Sequence, residues 1–418
     1  MPDVSGRAHA LNERAMLMKN TFFKAGHLPT LTACFLYFDL SFAIWVVLGP
    51  LAVLIAPDLH LNPGEKGLMV ATPVLAGAGL RFVNGILVGQ WGARRTGLVM
   101  QFVVIAGLTA AWLLGIHSFS QILALGLLLG VAGASFAIAL PMVSYWYPPQ
   151  HQGMALGLAG AGNSGTVFAS LFAPALAVAF GWRNVLGLAT LPLIAVFVFF
   201  FLAAKDSPKA PPRKTLADYG ELLRKADAWW LMFFYCISFG GFVGLSSFLP
   251  IYFHDQYNLS AVTAGYFTAG CVFAGSFARP FGGALADRVG GTRALSVIYA
   301  LVAILLMGLA KSVVSEFDAL AIVIGAMVAL GMGNGAVFQL VPQRFGRDVG
   351  LMTGLVGMTG GIGGFYVAAS LGYAKQFTGS YGFGFGVFAA LAMAAWIGIV
   401  TVRLRWRVDA ALLANVRI

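Results

Sequence analysis

The chain has 418 residues, of which 59% are hydrophobic and only 10% charged, and its formal net charge is +11. Soluble domains carry roughly 25% charged residues, so this composition excludes a water-soluble enzyme, a disordered chain and a disulfide scaffold. The basic residues sit in short clusters between long apolar runs, which is a pattern of membrane topology and not of nucleic-acid binding.

A spanning helix needs about 20 mostly apolar residues. Twelve such runs follow one another along the chain. The first six cover 31–56, 67–90, 96–116, 121–143, 153–180 and 183–204. A polar stretch, 205–228, follows; it holds Lys205, Lys209, Pro211, Pro212, Arg213, Lys214, Arg224 and Lys225. The last six runs cover 229–253, 262–286, 293–311, 317–341, 350–375 and 381–404. The expected organisation is an N-terminal bundle with its tail (1–204), a central cytoplasmic loop (205–228) and a C-terminal bundle (229–418). The first 26 residues are polar and lack a cleavable signal pattern, so the first run is expected to remain as a span. Cys34, Cys236 and Cys271 all fall inside apolar runs, which leaves no disulfide framework and no metal-ligand spacing.

Lysine and arginine set the orientation. The tails, the loops after even-numbered runs and the central loop hold twenty of them, including Arg94, Arg95, Arg288, Arg293, Arg344 and Arg403. The opposite loops hold four: Lys66, Arg183, Lys311 and Lys375. By the positive-inside rule both termini are expected to face the cytoplasm, in a multi-pass protein of the cell inner membrane.

The two halves repeat. Gly77, Gly79, Arg81, Gly85 and Gly92 lie in a segment that matches Gly275–Gly290, with Arg81 falling on Arg279 at an offset of 198. Gly153, Gly157 and Gly160 match Gly350, Gly354 and Gly357 at an offset of 197. The fold class is therefore all-α: twelve transmembrane helices in two pseudo-symmetric six-helix bundles related by an axis normal to the membrane.

Twelve spans, the central loop and Gly283-Ala284-Leu285-Ala286-Asp287-Arg288-Val289-Gly290 resemble the major facilitator superfamily, whose loop motif is G-x-x-x-D-R-x-G. The first-half copy, Gly85 to Gly92, keeps the glycines and lacks the acid and the arginine. The glycine runs Gly157–Gly165 and Gly354–Phe365, with Phe38-Asp39-Leu40-Ser41-Phe42 in the first span, resemble the paired signatures of the nitrate/nitrite porter family.

Arg81 and Arg279 carry the sharpest chemical signal. A cation well inside a span costs about 3 kcal/mol or more unless it meets a cavity or a partner. Asp39 is the only acid well inside an apolar run, Asp318 standing at the very start of the tenth, so it could neutralise at most one arginine. Guanidinium is planar and stays charged, which makes two of them a fixed clamp for a small flat oxyanion. The resemblance implies the same role, since the family's substrate arginines fall on these positions. It also makes Phe136, Tyr235, Phe239 and Phe338 candidate walls, although core packing is the ordinary fate of most of the 34 phenylalanines. Tyr235 and Phe239 are four apart and share a helix face. Asn163, Gly162 and Gly360 in the glycine runs are candidates to line the anion path, or simply to let helices approach.

Asp39 is a candidate proton carrier, with a structural hydrogen-bond role as the alternative. His27, His60, His117, His151 and His254 lie at or near span ends and His9 in the tail, so no histidine relay is expected in the core. The chain is thus expected to be a monomeric secondary transporter and not an enzyme. It would need no cofactor and would take up nitrate with protons. The alternatives are nitrate/nitrite exchange, another small anion, or a non-transporting anion sensor; a sensor would normally carry a signalling domain.

Overall fold

A computed structural model describes residues 22, 24–207, 216–311, 313 and 315–415. The basic residues Arg7, Arg14, Lys19, Lys209, Arg213, Lys214 and Arg417, and the prolines 211 and 212, lie outside the described residues. Among the described residues twelve helices are long and apolar enough to span a membrane. They are α1 (Leu28–Asp58), α2 (Pro63–Trp91), α3 (Ala93–Leu114), α4 (Phe119–Trp146), α5 (Met154–Phe180) and α6 (Trp182–Ala203). After the short helix Leu216–Leu223 come α7 (Ala226–Tyr257), α8 (Ala261–Val289), α9 (Gly291–Ala310), α10 (Glu316–Phe345), α11 (Val349–Thr378) and α12 (Gly382–Trp406). No strand occurs among the described residues.

Many helices overrun their apolar runs by a few residues. The apolar run marks only the hydrocarbon core, whereas the helix continues until a cap satisfies its terminal N–H groups. Asn62 and Glu65 form a reciprocal capping box before α2; Ser260 and Ser315 cap α8 and α10. The overrun brings Glu65, Asp227, Asp255, Asp287 and Glu316 into terminal turns, where Asp318 also lies. Asp39 alone among the described acids sits deep within a helix.

Three helices of the first half are broken where the site will form. α1 bends at Val47, between Leu28–Val46 and Leu48–Asp58. α4 breaks at Ala134 and Ser135. α5 tightens into a 3₁₀ turn over Ala161–Ser164, within its glycine run. Irregular backbone at membrane depth is tolerated only where protein or a water-filled cavity surrounds it.

Glycines set the helix packing. A Cβ on Gly130 of α4 would collide with Ala76 and come within 2.7 Å of the Gly77 backbone of α2. One on Gly331 of α10 would strike Gly275 of α8. The arginine-bearing helices α2 and α8 are thereby pressed onto α4 and α10 in the same way, which is the physical content of the repeat.

The two bundles meet tightly at one end only. At the end formed by the α1–α2 and α7–α8 turns, Lys66 Nζ lies 2.8 Å from Asp255 Oδ2. The Tyr381 hydroxyl donates to the same carboxylate at 3.1 Å, and Gly64 N–H donates to Gln376 Oε1 at 3.0 Å. A Cβ on Gly67 of α2 would lie 3.0 Å from Gly372 Cα of α11. Deeper in, one on Gly361 of α11 would lie 2.6 Å from Ala78 of α2. Toward the other end the same two helices part. Gly85 of α2 and Gly354 of α11 each meet only the Tyr219 hydroxyl of the short helix, at 3.7 and 4.0 Å. Gly157, Gly160 and Gly350 meet open space. The molecule is sealed at the first end and splayed at the second.

The seal is testable. In a chain lacking the three cysteines, a cysteine at buried Val74 should resist a membrane-impermeant maleimide applied from the sealed side. Gly67→Leu should wedge α2 from α11 and expose it. Unchanged protection in Gly67→Leu would show that this seam is not the barrier.

Candidate functional site

The Arg81 side chain is only 5% exposed. Its Nε donates to Gly133 O at 3.2 Å and its Nη1 to Gly357 O at 2.7 Å. The break in α4 explains the first bond. Ala137 N–H turns to Ala134 O, which releases Gly133 O from the helix ladder for Arg81. Asn84, one turn along α2, takes the next carbonyl, with Nδ2 donating to Ala134 O at 3.2 Å. The second bond crosses from α2 to α11, so Arg81 itself ties the bundles together.

Aromatic rings surround the guanidinium. Its carbon lies 5.1 Å from the Trp45 ring centroid, 5.3 Å from Phe239 and 5.6 Å from Phe136. Such faces attract a cation by about 2 kcal/mol or more when dry. Arg81 Nη2 is left buried without a hydrogen-bond partner. Among the described residues no carboxylate lies within 4.0 Å of either arginine.

Arg279 approaches from α8. Its guanidinium carbon lies 5.7 Å from the Phe338 centroid, and the Tyr235 side chain hydrogen-bonds it. The Tyr235 ring stacks on Phe239 with centroids 5.1 Å apart and meets Phe338 edge-on at 4.9 Å. Arg81, Arg279 and Tyr235 act on one another electrostatically. A Cβ on Gly360 would lie 2.8 Å from both the Tyr235 and Phe239 rings, so α11 must be bare there. The result is a net positive cluster with one unpartnered buried N–H donor and aromatic walls. Such an arrangement can attract a small anion.

The family model described as Major Facilitator Superfamily matches residues 33–368. A nitrite extrusion protein of Bacillus subtilis is 32% identical, over 86% of this chain and 90% of that protein. A probable nitrate/nitrite transporter of Mycobacterium tuberculosis is 33% identical, over 79% of this chain and 85% of that one. The chain belongs to the nitrate/nitrite porter family of the Major Facilitator Superfamily. It is a multi-pass membrane transporter. Its fold matches that of a bacterial homologue of the human lysosomal transporter Spinster, with a TM-score of 0.66, 18% identity and coverage of 91% and 96% of the two chains.

Within this porter, six of the residues singled out from the sequence come together around the arginines: Arg81, Arg279, Tyr235, Phe136, Phe239 and Phe338. Gly360 lies against them as a space-maker. Asn163, Gly162 and Asp39 form a separate group at the α1–α5 seam. Ser164 Oγ donates to Asp39 Oδ1 at 2.6 Å, and the Gly165 backbone also hydrogen-bonds this carboxylate. A Cβ on Gly162 would lie 2.5 Å from the Phe38 ring. Asn163 Oδ1 is buried without a partner, and no contact with either arginine is found among the described residues. Phe38 connects the groups, with its ring 5.7 Å from Phe136.

The sequence reading missed Trp45. Its indole N–H donates to Pro73 O at 2.7 Å and its ring backs Arg81. Membrane tryptophans gather at the two interfaces, so one in mid-span was the available signal. A Cβ on Gly160 would meet nothing within 4 Å.

Gly360→Leu would overpack the chamber, at a cost of about 1–3 kcal/mol. Affinity for a planar oxyanion should fall by about 10–100-fold, since each 1.4 kcal/mol is tenfold. Gly160→Leu should bind normally. Titration calorimetry with nitrate checks both, and equal affinities would remove Gly360 from the site.

Proposed function

We propose that the transporter takes nitrate into the cytoplasm of a bacterial cell by alternating access, with protons as the driving ion. The observation that carries this reading is the buried Nη2 donor of Arg81, unpaired and facing a chamber that a second arginine enters. Two permanent cations without a carboxylate call for an anion. The flat aromatic walls suit a small planar one, and the names of the relatives point to nitrate or nitrite. In this reading Arg81 and Arg279 clamp the anion, Tyr235 adds a hydroxyl donor, and Phe136, Phe239 and Phe338 exclude water. Asn163 and Gly162 belong to the α1–α5 joint and not to the clamp.

Twenty basic residues against four put both termini in the cytoplasm. The splayed end is then cytoplasmic and the state inward-open. The bundles, 1–204 and 229–418, would rock about the arginine level around the loop 205–228. Closing the splayed end would bring Gly157 and Gly354 toward the opposite bundle.

Asp39 is the proposed coupling group. Its carboxylate accepts bonds from Ser164 and Gly165 across the joint that must move, so protonation would loosen that joint. Nitrate/nitrite exchange is the second reading. It is favoured by one observation: the chamber itself contains no titratable acid, and exchange requires none.

Uptake of labelled nitrate into proteoliposomes, with and without a pH gradient, tests the proposal. Lysine at 81 or 279 keeps the charge and loses the fork. Each lost charge-assisted bond is worth about 1.5–3 kcal/mol, so uptake should fall about 10–100-fold. Near-normal uptake in both Arg81→Lys and Arg279→Lys would sink the clamp.

Asp39→Asn should abolish pH-driven accumulation and spare exchange at equal concentrations. If the Asn variant still accumulates nitrate under a pH gradient, coupling lies elsewhere. If the wild type responds only to nitrite on the far side, the exchange reading stands instead.

A further inference from the structure

The central loop contributes one described element to the splayed end, the short helix Leu216–Leu223. That helix is fastened to the C-terminal bundle. Only Arg224 and Lys225 separate it from α7, and their N–H groups turn back onto Glu221 O and Leu222 O at 3.3 and 3.0 Å. Trp229 of α7 donates its indole N–H to Leu223 O at 2.8 Å. Lys225 Nζ lies 3.6 Å from Asp348 Oδ2 at the α10–α11 turn, and Leu222 is buried. A helix this short is marginal alone in water, so contacts of this kind hold it in place.

From that base it reaches across to the other bundle through Tyr219. The Tyr219 ring meets Phe82 of α2 edge-on, with centroids 4.9 Å apart. Its hydroxyl stands in the seam between the bundles. It lies 3.7 Å from where a Cβ on Gly85 of α2 would be and 4.0 Å from one on Gly354 of α11. Among the described residues, nothing else outside their own helices comes within 4 Å of either position.

The same two helices show the form of this seam when it is shut. At the sealed end a Cβ on Gly67 of α2 would lie 3.0 Å from Gly372 Cα of α11, so backbone meets backbone. Gly85 and Gly354 are equally bare, and small residues of this kind let membrane helices approach closely. Here a phenol stands between them. The repeat relates this seam to the one between α5 and α8: Gly85 corresponds to Gly283 at an offset of 198, and Gly354 to Gly157 at 197. There a Cβ on Gly157 would meet nothing within 4 Å, and one on Gly283 only Gly335 O of its own bundle, at 3.9 Å. The tyrosine is thus an addition by the central loop to one seam, and not a by-product of helix packing.

We propose that Tyr219 is a removable spacer. It props α2 and α11 apart in this state, and the short helix carries it out of the seam when the splayed end closes. This role presupposes the proposed rocking of the two bundles. A contact made in one state only biases the equilibrium toward that state, and the Tyr219–Phe82 pair belongs to the open mouth. Gly85 and Gly354 can meet only once the ring has left.

Spin labels at Arg95→Cys and Arg293→Cys, in a chain whose three native cysteines are replaced, report the width of the splayed end by double electron–electron resonance. Both positions are exposed, at the starts of α3 and α9. The wild type should show a long distance, and a shorter one when the mouth closes. Tyr219→Ala should raise the ratio of short to long about threefold to tenfold, the shift expected from one aromatic pair. Tyr219→Phe keeps the ring and should match the wild type. If the wild type shows both distances and Tyr219→Ala leaves their ratio unchanged, the spacer is overturned and the rocking stands. An equal shift in Tyr219→Phe would also overturn it, because the hydroxyl and not the bulk of the ring would then decide. A single long distance in the wild type, with and without nitrate, would overturn the rocking and the spacer with it.

Discussion

A permanent cation buried without a carboxylate is the constraint on which the rest of this structure depends. Arg81 gives up water for two backbone carbonyls, three aromatic faces and one unused N–H. Each compensation has to be built. The break in α4 frees Gly133 O, the bend in α1 lies beside Trp45, and the bare Gly360 on α11 lets Tyr235 and Phe239 close the wall. The broken helices are therefore the means by which a charge is held at membrane depth. A carboxylate in the same place would satisfy the arginine outright and leave nothing for a substrate to do.

Glycine supplies the second half of the design. Within each bundle it presses the arginine-bearing helix onto its neighbour, so the two guanidinium groups reach the shared chamber from related positions. Between the bundles it makes the seam separable. Gly67 against Gly372 and Gly361 against Ala78 bring backbones together with little side-chain interlocking. In a bilayer such contacts rest on van der Waals packing and not on hydrophobic expulsion. They can be exchanged for equivalent ones at the opposite end at small net cost, which is what a rocking transporter requires. The Arg81 bond to Gly357 O lies on that same seam.

The two bundles are similar, and their differences carry information. Arg81 is buried and bonded to carbonyls of α4 and α11, whereas Arg279 is half-buried and meets Tyr235 and Phe338. The first bundle also closes the start of α3 with Asp206, whose carboxylate accepts the Arg94 N–H. A duplicated fold needs only its helix packing to stay symmetric, so the side chains at equivalent positions are free to differ.

Much of this was legible in the sequence, for a physical reason. The hydrocarbon core demands long apolar runs, so twelve spans can be read from composition alone. A charge inside such a run is expensive, so Arg81, Arg279 and Asp39 stand out without any coordinates. The repeat was visible because close helix packing tolerates only small residues at fixed positions. What the sequence left undetermined depends on contacts between distant segments. Asp39 reads as a possible partner for an arginine, yet the fold gives it to Ser164 and Gly165. Asn163 and Gly162 read either as lining an anion path or as letting helices approach, and the 3₁₀ turn in α5 sets Gly162 against Phe38 of α1. Trp45 is one of nine tryptophans until α1 and α2 are packed together. Composition and periodicity report how each segment meets lipid; only tertiary structure decides which buried groups meet one another, because those pairings are set by helix breaks and crossings that no single segment encodes.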